Sequence, residues 1–93
     1  MTSCKRLHIF LEGRVQGVGF RFFTLRNAKE LGVVGWVRNL PDRRVEIVAE
    51  GNDEQLSKFV EAIRKGPPLA KVEKIEVVEE PCTHEFTSFE ILF

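Results

Sequence analysis

Several residue types are scarce in this sequence, and each shortage argues against a class of protein. The 93 residues include two cysteines and two histidines, and neither cysteine has the spacing of a metal-ligand set. We therefore expect no metal site. The 14 basic and 14 acidic residues cancel, so the chain lacks the positive charge on which non-specific nucleic-acid binding relies. We expect no nucleic-acid partner.

Long apolar runs are also missing. No stretch approaches the ~18 apolar residues of a membrane span, and the N-terminus has no apolar signal-peptide core. These absences predict a cytoplasmic protein with no membrane contact. A chain of 93 residues has room for one two-layer core. We therefore expect residues 1–93 to form a single domain.

The most informative stretch is a glycine-rich segment at residues 13–21, which reads GRVQGVGFR. It separates an alternating, strand-like segment from a segment with helical spacing. The glycines allow the backbone to turn its N–H groups inward, and such groups, followed by the positive end of a helix, suit an anion such as phosphate. Arg21 lies where the loop becomes a helix, and its guanidinium can bind two phosphate oxygens in parallel. The segment predicts a phosphate cradle closed by one arginine.

Other interpretations of the same glycines are open. They also suit a tight strand-to-helix connection that binds nothing. A nucleotide-binding P-loop is excluded because no Lys-Ser or Lys-Thr pair follows, and the spacing is not that of a dinucleotide fingerprint. Residues 16–23 partly match the RNA-binding signature of RRM domains. That signature belongs on a central strand, however, and the glycines here break any strand.

Hydrophobic periodicity predicts the order strand, helix, strand, strand, helix, strand, followed by a terminal strand. Alternation indicates the strands, and apolar residues at helical spacing indicate the helices; the predicted strands cover residues 5–12, 33–38, 44–50, 72–79 and 86–93, and the helices about 20–31 and from Asn52 to about 65. Two split βαβ units of this kind give a ferredoxin-like α+β sandwich of two layers. We expect an antiparallel sheet with both helices on one face.

The pattern also predicts which side chains are buried and how the helices end. On the first helix, apolar residues recur at intervals of three, which predicts a buried face of Phe22, Leu25, Ala28 and Leu31. Gly32 is placed to cap the C-terminus of that helix. Asn52 and Gln55 have the spacing of a capping box at the start of the second helix. In the third strand, Val45, Ile47 and Ala49 should point inward, and Glu46 and Glu50 outward.

Asn39 is the second candidate site residue, because it stands where the second predicted strand ends. Asparagine is also favoured at such positions for its side-chain hydrogen bonds to the backbone of a turn. A purely structural role is therefore also open. Whether Asn39 approaches the glycine-rich segment depends on the fold, and sequence spacing does not decide it.

Residues spread over nearly the whole chain resemble the acylphosphatase family. The resemblance rests on the glycine-rich segment, on residues 35–39, which read GWVRN, and on Gly66-Pro67-Pro68. It implies a small ferredoxin-like enzyme that hydrolyses the carboxyl–phosphate bond of small acyl phosphates to a carboxylate and inorganic phosphate. It also implies a monomer that needs no metal or cofactor, with inorganic phosphate as product and inhibitor.

The resemblance also assigns residues. Arg21 would bind the phosphoryl group, and Asn39 would orient the attacking water. The backbone amides that assist Arg21 would be those of Val15, Gln16, Gly17, Val18, Gly19 and Phe20. One position departs from the family pattern, because Asp42-Arg43 stands where Asp-Gly is usual in the hairpin. Arg43 would then adopt positive φ, or the turn would be of another type.

Two functions other than the enzyme activity are also compatible with the sequence. The sequence also resembles the N-terminal part of larger hydrogenase-maturation carbamoyl transferases, which would make it a phosphate or carbamoyl-phosphate binding module. An RRM-like RNA-binding domain is the third reading. Because the chain starts with Met1 and ends soon after the last strand, we favour the free-standing enzyme.

The two cysteines allow one further expectation. In a ferredoxin-like sheet the first and fourth strands are antiparallel neighbours, which would bring Cys4 near Cys82. A bridge there would close a long loop. A reducing cytosol argues against it, so we expect free thiols.

Overall fold

The computed structural model describes residues 3–93, which form five strands and two helices. The order is the predicted one. The elements are β1 (Lys5–Arg14), α1 (Phe20–Leu31), β2 (Val34–Asn39), β3 (Val45–Gly51), α2 (Asp53–Lys65), β4 (Lys71–Pro81) and β5 (Phe89–Ile91). Neither helix is long and apolar enough to cross a membrane.

The five strands form one sheet in the order β4-β1-β3-β2-β5. The central strand β3 pairs antiparallel with both β1 and β2, and β4 pairs antiparallel with β1. The predicted ferredoxin-like fold is confirmed. The terminal strand β5 pairs parallel with β2, however, so the sheet is mixed and not antiparallel throughout.

One apolar core lies between the sheet and the two helices. Alternate residues of β1 and β3 enter it, and Val45, Ile47 and Ala49 are fully buried, as predicted. From α2 the core receives Phe59 and Ile63, which are also fully buried. Burial of each large apolar side chain contributes about 1.5–3 kcal/mol to folding.

Three of the four residues predicted for the buried face of α1 lie in the core or pack against it, but the face as a whole is rotated. Phe20, Thr24 and Ala28 are buried, whereas Phe22 is 61% exposed. The prediction for Phe22 was wrong because the face that meets the sheet repeats every four residues, and a stripe at intervals of three rotates away from it. Thr24 enters the core without an unpaired hydroxyl, since its Oγ1 donates a hydrogen bond of 2.9 Å to the Phe20 carbonyl.

Both predicted helix caps are confirmed. Gly32 adopts the left-handed conformation at the end of α1, with φ of 78°. At the start of α2, the Gln55 N–H donates to the Asn52 side chain, and the Asn52 N–H donates to the Gln55 side chain, both at 2.8 Å. This reciprocal pair satisfies backbone donors that a helix start would otherwise leave without a partner.

The two outward glutamates of β3 lie on the face opposite the helices, but they are buried. Glu46 is 7% exposed and Glu50 is 1% exposed. Glu46 receives hydrogen bonds of 2.6 Å from His8 and from Arg38. Burial raises the pKa of the Glu46 carboxyl, but these hydrogen bonds outweigh burial and hold the pKa below its ordinary value. Glu50 accepts from the backbone N–H of Thr83 at 2.9 Å.

Cys4 and Cys82 form a disulfide with a Cα–Cα distance of 5.7 Å. The expectation of free thiols was therefore wrong, although the expected proximity was right. The proximity follows from the pairing of β1 with β4, which sets Lys5 opposite Pro81, whereas the redox argument against the bridge failed. The neighbouring positions, Cys4 and Cys82, then lie within the range of roughly 4.4–6.8 Å that a disulfide spans.

Candidate active site

The sheet topology explains how two distant segments come together. Because β1 and β2 both run antiparallel to β3, they run parallel to each other, and their last residues lie at the same end of the sheet. The loop after β1 therefore approaches Asn39, the last residue of β2. A concave site of about 190 Å³ forms there, and the residues that line it are Val15, Gly17, Gly19, Phe20, Arg21, Phe22 and Asn39.

The loop presents backbone donors because glycine takes the place of a helix cap. Gly19 is the N-cap of α1 with φ of 77°, and it makes no side-chain cap hydrogen bond. Gly17 also has positive φ, at 73°. A Cβ added at either glycine would contact nothing within 4 Å. Glycine is therefore needed at both positions for its positive φ and not for lack of space. The first N–H groups of α1 are thereby left for an anion at the positive end of the helix.

Arg21 supplies a permanent positive charge at this helix start. Its Cζ lies 4.9 Å from the ring centroid of Phe93, a distance typical of a cation–π contact. Among residues 3–93, no carboxylate pairs with its guanidinium. The charge contacts an aromatic ring and is not neutralised by a carboxylate, so it is available for an anionic ligand.

Asn39 lines the same concavity. Its Oδ1 is buried and has no hydrogen-bond partner within residues 3–93. A buried acceptor without a partner costs about 1–3 kcal/mol, and such groups in folded proteins usually serve a ligand, a water or a reaction. The turn-forming role that the sequence left open does not use this oxygen.

Two of the predicted loop residues do not line the concavity. The Gln16 side chain turns toward the hairpin after β2, where its Nε2 donates to the carbonyls of Leu40 and Arg44. Val18 is half-buried and packs against the core. The expected role of both residues is through their backbone amides, and it stays a prediction. Phe22 was missed as a lining residue, although its position directly after Arg21 at the helix start was the available signal.

The segment proposed to carry the RRM signature has a different structure. Residues 16–19 are a loop, and α1 begins at Phe20. The Phe20, Phe22 and Phe23 rings are therefore not presented on a central strand, which is what base stacking in RRM domains requires.

One group of potential metal ligands lies elsewhere. The side-chain ligand atoms of Cys4, Cys82 and His84 all lie within 4.8 Å of one another. Since the two cysteines are joined in a disulfide, neither offers the thiolate that binds metals. The group is near the start of β1, whereas the concave site follows its end. The expectation of a metal-free enzyme stays a prediction.

Comparisons with known proteins agree on one family. A family model described as Acylphosphatase matches residues 7–91. An acylphosphatase of Methylococcus capsulatus is 52% identical over 88 residues, which cover 95% of this chain and 96% of that protein. The crystal structure of acylphosphatase from Bacillus subtilis has a TM-score of 0.92 and 43% identity, over 96% of this chain and 99% of that one. The crystal structure of T. kodakarensis HypF has a TM-score of 0.84 and 41% identity over 96% of this chain, but over only 12% of its own.

Proposed function

The chain belongs to the acylphosphatase family, and from this premise we propose how its residues hydrolyse the carboxyl–phosphate bond of small acyl phosphates. The observation that carries the proposal is one concavity lined by the uncapped start of α1, by Arg21 and by Asn39. Backbone donors, a guanidinium and an amide oxygen meet there. This combination suits a phosphoryl group and a water molecule.

We assign the phosphate-binding loop to residues 15–20, the segment that the sequence predicts. In the proposal, its backbone N–H groups and the Arg21 guanidinium donate to the phosphoryl oxygens of the substrate. In the transition state of phosphoryl transfer, negative charge is spread over these oxygens. Hydrogen-bond donors fixed around them therefore stabilise the transition state. The helix dipole of α1 adds to this stabilisation.

Asn39 orients the nucleophile. Its Oδ1 accepts a hydrogen bond from a water molecule, and the water oxygen attacks phosphorus from the side opposite the carboxylate. The new P–O bond forms as the bond from phosphorus to the acyl oxygen breaks, and the water proton passes to a phosphoryl oxygen. A carboxylate leaves readily without protonation, so positioning and charge stabilisation are sufficient and no acid–base pair is needed.

Hydrolysis of benzoyl phosphate in the presence of a chelator tests the assignments. Arg21→Ala should abolish measurable inhibition by inorganic phosphate. Asn39→Ala should lower kcat by about 10² to 10³, the usual cost of removing a preorganised group that acts in the transition state. Arg26→Ala is the matched control, because Arg26 is an exposed arginine on the same helix, and it should keep wild-type activity. A folded wild-type protein without activity would refute the proposed roles.

A second candidate function is a binding module without turnover. The match to a small part of HypF favours it, because a domain of this fold occurs there within a much longer chain. In the same experiment a module would bind inorganic phosphate through Arg21 and hydrolyse nothing. Saturable phosphate binding without release of benzoate would therefore identify it.

The remaining expectations from the sequence belong to the same proposal. We propose that residues 1–93 work as one domain, as a cytoplasmic monomer without a nucleic-acid or membrane partner. In a reducing cytoplasm the Cys4–Cys82 disulfide would then have to resist reduction. Sedimentation of the purified protein at several concentrations tests the monomer.

A further inference from the structure

One side chain connects the glycine-rich loop to the segment that carries Asn39. The Nε2 atom of Gln16 lies 2.9 Å from the carbonyl oxygen of Leu40 and 2.9 Å from that of Arg44. A carboxamide nitrogen carries two N–H donors, so each carbonyl can accept one of them. The Gln16 side chain thus bridges the loop and the hairpin between β2 and β3.

The two carbonyls belong to the residues that close this hairpin. The N–H of Leu40 donates to the Arg44 carbonyl at 2.8 Å, and the N–H of Arg43 donates to the Leu40 carbonyl at 3.1 Å. Asn39 directly precedes Leu40 and pairs with Val45 in the sheet. The bridge therefore reaches the backbone one residue away from the candidate water-orienting side chain.

The two ends of the bridge differ in how firmly their own segments hold them. Arg43 lies inside the hairpin with φ of 76°, a conformation that costs a residue with a side chain about 1–2 kcal/mol. On the loop side, Gln16 follows Val15, which is 1% exposed and anchors the start of the cradle in the core. The bridge joins an anchored loop to a strained hairpin.

We propose that Gln16 is a positioning residue for Asn39, an inference that rests on the proposed function. The cradle and Arg21 are contiguous in sequence and are held by α1, so phosphate binding does not need the bridge. Asn39 belongs to another segment, and the bridge fixes its distance and direction from the bound phosphorus. A misplacement of about 1 Å can cost about 10² in rate. Gln16 therefore acts on turnover and not on phosphate affinity.

The test is Gln16→Leu, which keeps a similar volume and removes both donors. We expect kcat for benzoyl phosphate to fall about 10- to 100-fold, while Ki for inorganic phosphate changes by less than about twofold. Gln55→Leu is the matched control, because its side chain also bonds to backbone, in the capping box of α2. That variant should lose stability and keep the wild-type kcat.

The same substitution made in the Asn39→Ala variant shows whether Gln16 acts through Asn39. In Asn39→Ala, adding Gln16→Leu should change kcat by less than about twofold, because residues that act as a unit are not additive. The proposal is overturned if the two losses multiply, if Ki for phosphate rises together with the loss in kcat, or if Gln16→Leu keeps the wild-type kcat. A wild type that hydrolyses no acyl phosphate would instead refute the proposed function.

A measurement on the wild-type protein covers the case in which Gln16→Leu does not fold. Both side-chain amide protons of Gln16 should exchange with solvent more slowly than those of a free glutamine, as observed by NMR. Exchange of both protons at the free rate would mean that the bridge does not form, and the inference would fail.

Discussion

The two ends of β1 differ in how their polar groups are used. At its start, the Cys4–Cys82 disulfide ties β1 to β4, and the buried carboxylate of Glu50 has a backbone partner in Thr83. At its end, α1 begins without a side-chain cap, and Asn39 Oδ1 has no partner among residues 3–93. Covalent and polar links hold one end together, while the other end leaves donors and an acceptor for a ligand. Groups that stabilise the fold thus lie at one end of β1, and groups available for function lie at the other.

Removal of the disulfide should have the largest effect, and it should affect stability alone. The bridged cysteines are separated by 78 residues, and in the chain-entropy model a loop of this length contributes about 4 kcal/mol. Urea denaturation with and without reductant measures this loss. The kcat should not change, because the bridge lies away from the concave site. The Cys4→Ser/Cys82→Ser double variant is the control, since reductant should no longer affect it. A fall in kcat on reduction would show that the two ends are coupled.

Acidification should weaken the links between the strands through Glu46. The hydrogen bonds from His8 and Arg38 hold its pKa in the folded state below the ordinary value of 4.5, which the unfolded chain keeps. The ionised carboxylate therefore stabilises the folded state fully at pH values above its ordinary pKa. This stability is lost as the pH falls through the lower, folded-state pKa.

Glu46→Gln should accordingly flatten the dependence of Tm on pH in the acid range. Thermal unfolding between about pH 3 and 7 measures the slope in both proteins. Glu76→Gln removes an exposed glutamate of β4 and should leave the slope unchanged. An equal slope in the wild type and in Glu46→Gln would mean that other groups cause the acid sensitivity.

The smallest expected effect is a gain in stability at the site end. Arg43→Gly removes the cost of positive φ, although glycine also gains freedom in the unfolded chain. We expect a net gain of about 0.5–1 kcal/mol, with kcat unchanged because Arg43 does not line the concave site. Arg43→Lys keeps the Cβ and the charge and should show no gain. A loss of stability in Arg43→Gly would mean that the arginine side chain makes contacts worth more than the strain.

Much of the fold could be predicted because local signals and tertiary structure agree. Val45, Ile47 and Ala49 alternate in the sequence and are buried together. The capping box of Asn52 and Gln55 is a local pattern with a local structure. Arg21 and Asn39 were chosen as candidates by their positions at the ends of elements and by a family resemblance that covers both, and the structure places them in one concavity.

The disulfide was missed on redox grounds, since the pairing of β1 with β4 was expected. The other failures depend on contacts between distant segments. The sheet decides which side of α1 is buried, so Phe22 was assigned to the wrong face. The Gln16 bridge reaches carbonyls of a hairpin that spacing along the chain does not place beside it. Local periodicity contains no information about such contacts.

The uncapped start of α1 has a thermodynamic consequence for the enzyme during turnover. A ligand that binds only the folded state stabilises it by RT ln(1 + [L]/Kd), which reaches about 2.7 kcal/mol at 100 times Kd. In the proposed function the ligand at this helix is the product, inorganic phosphate. Accumulating product would therefore slow the catalyst and protect it from unfolding at the same time. The N–H groups at the start of α1, which folding leaves without partners, would bind the product. The amount of product formed would then determine how long the protein stays folded.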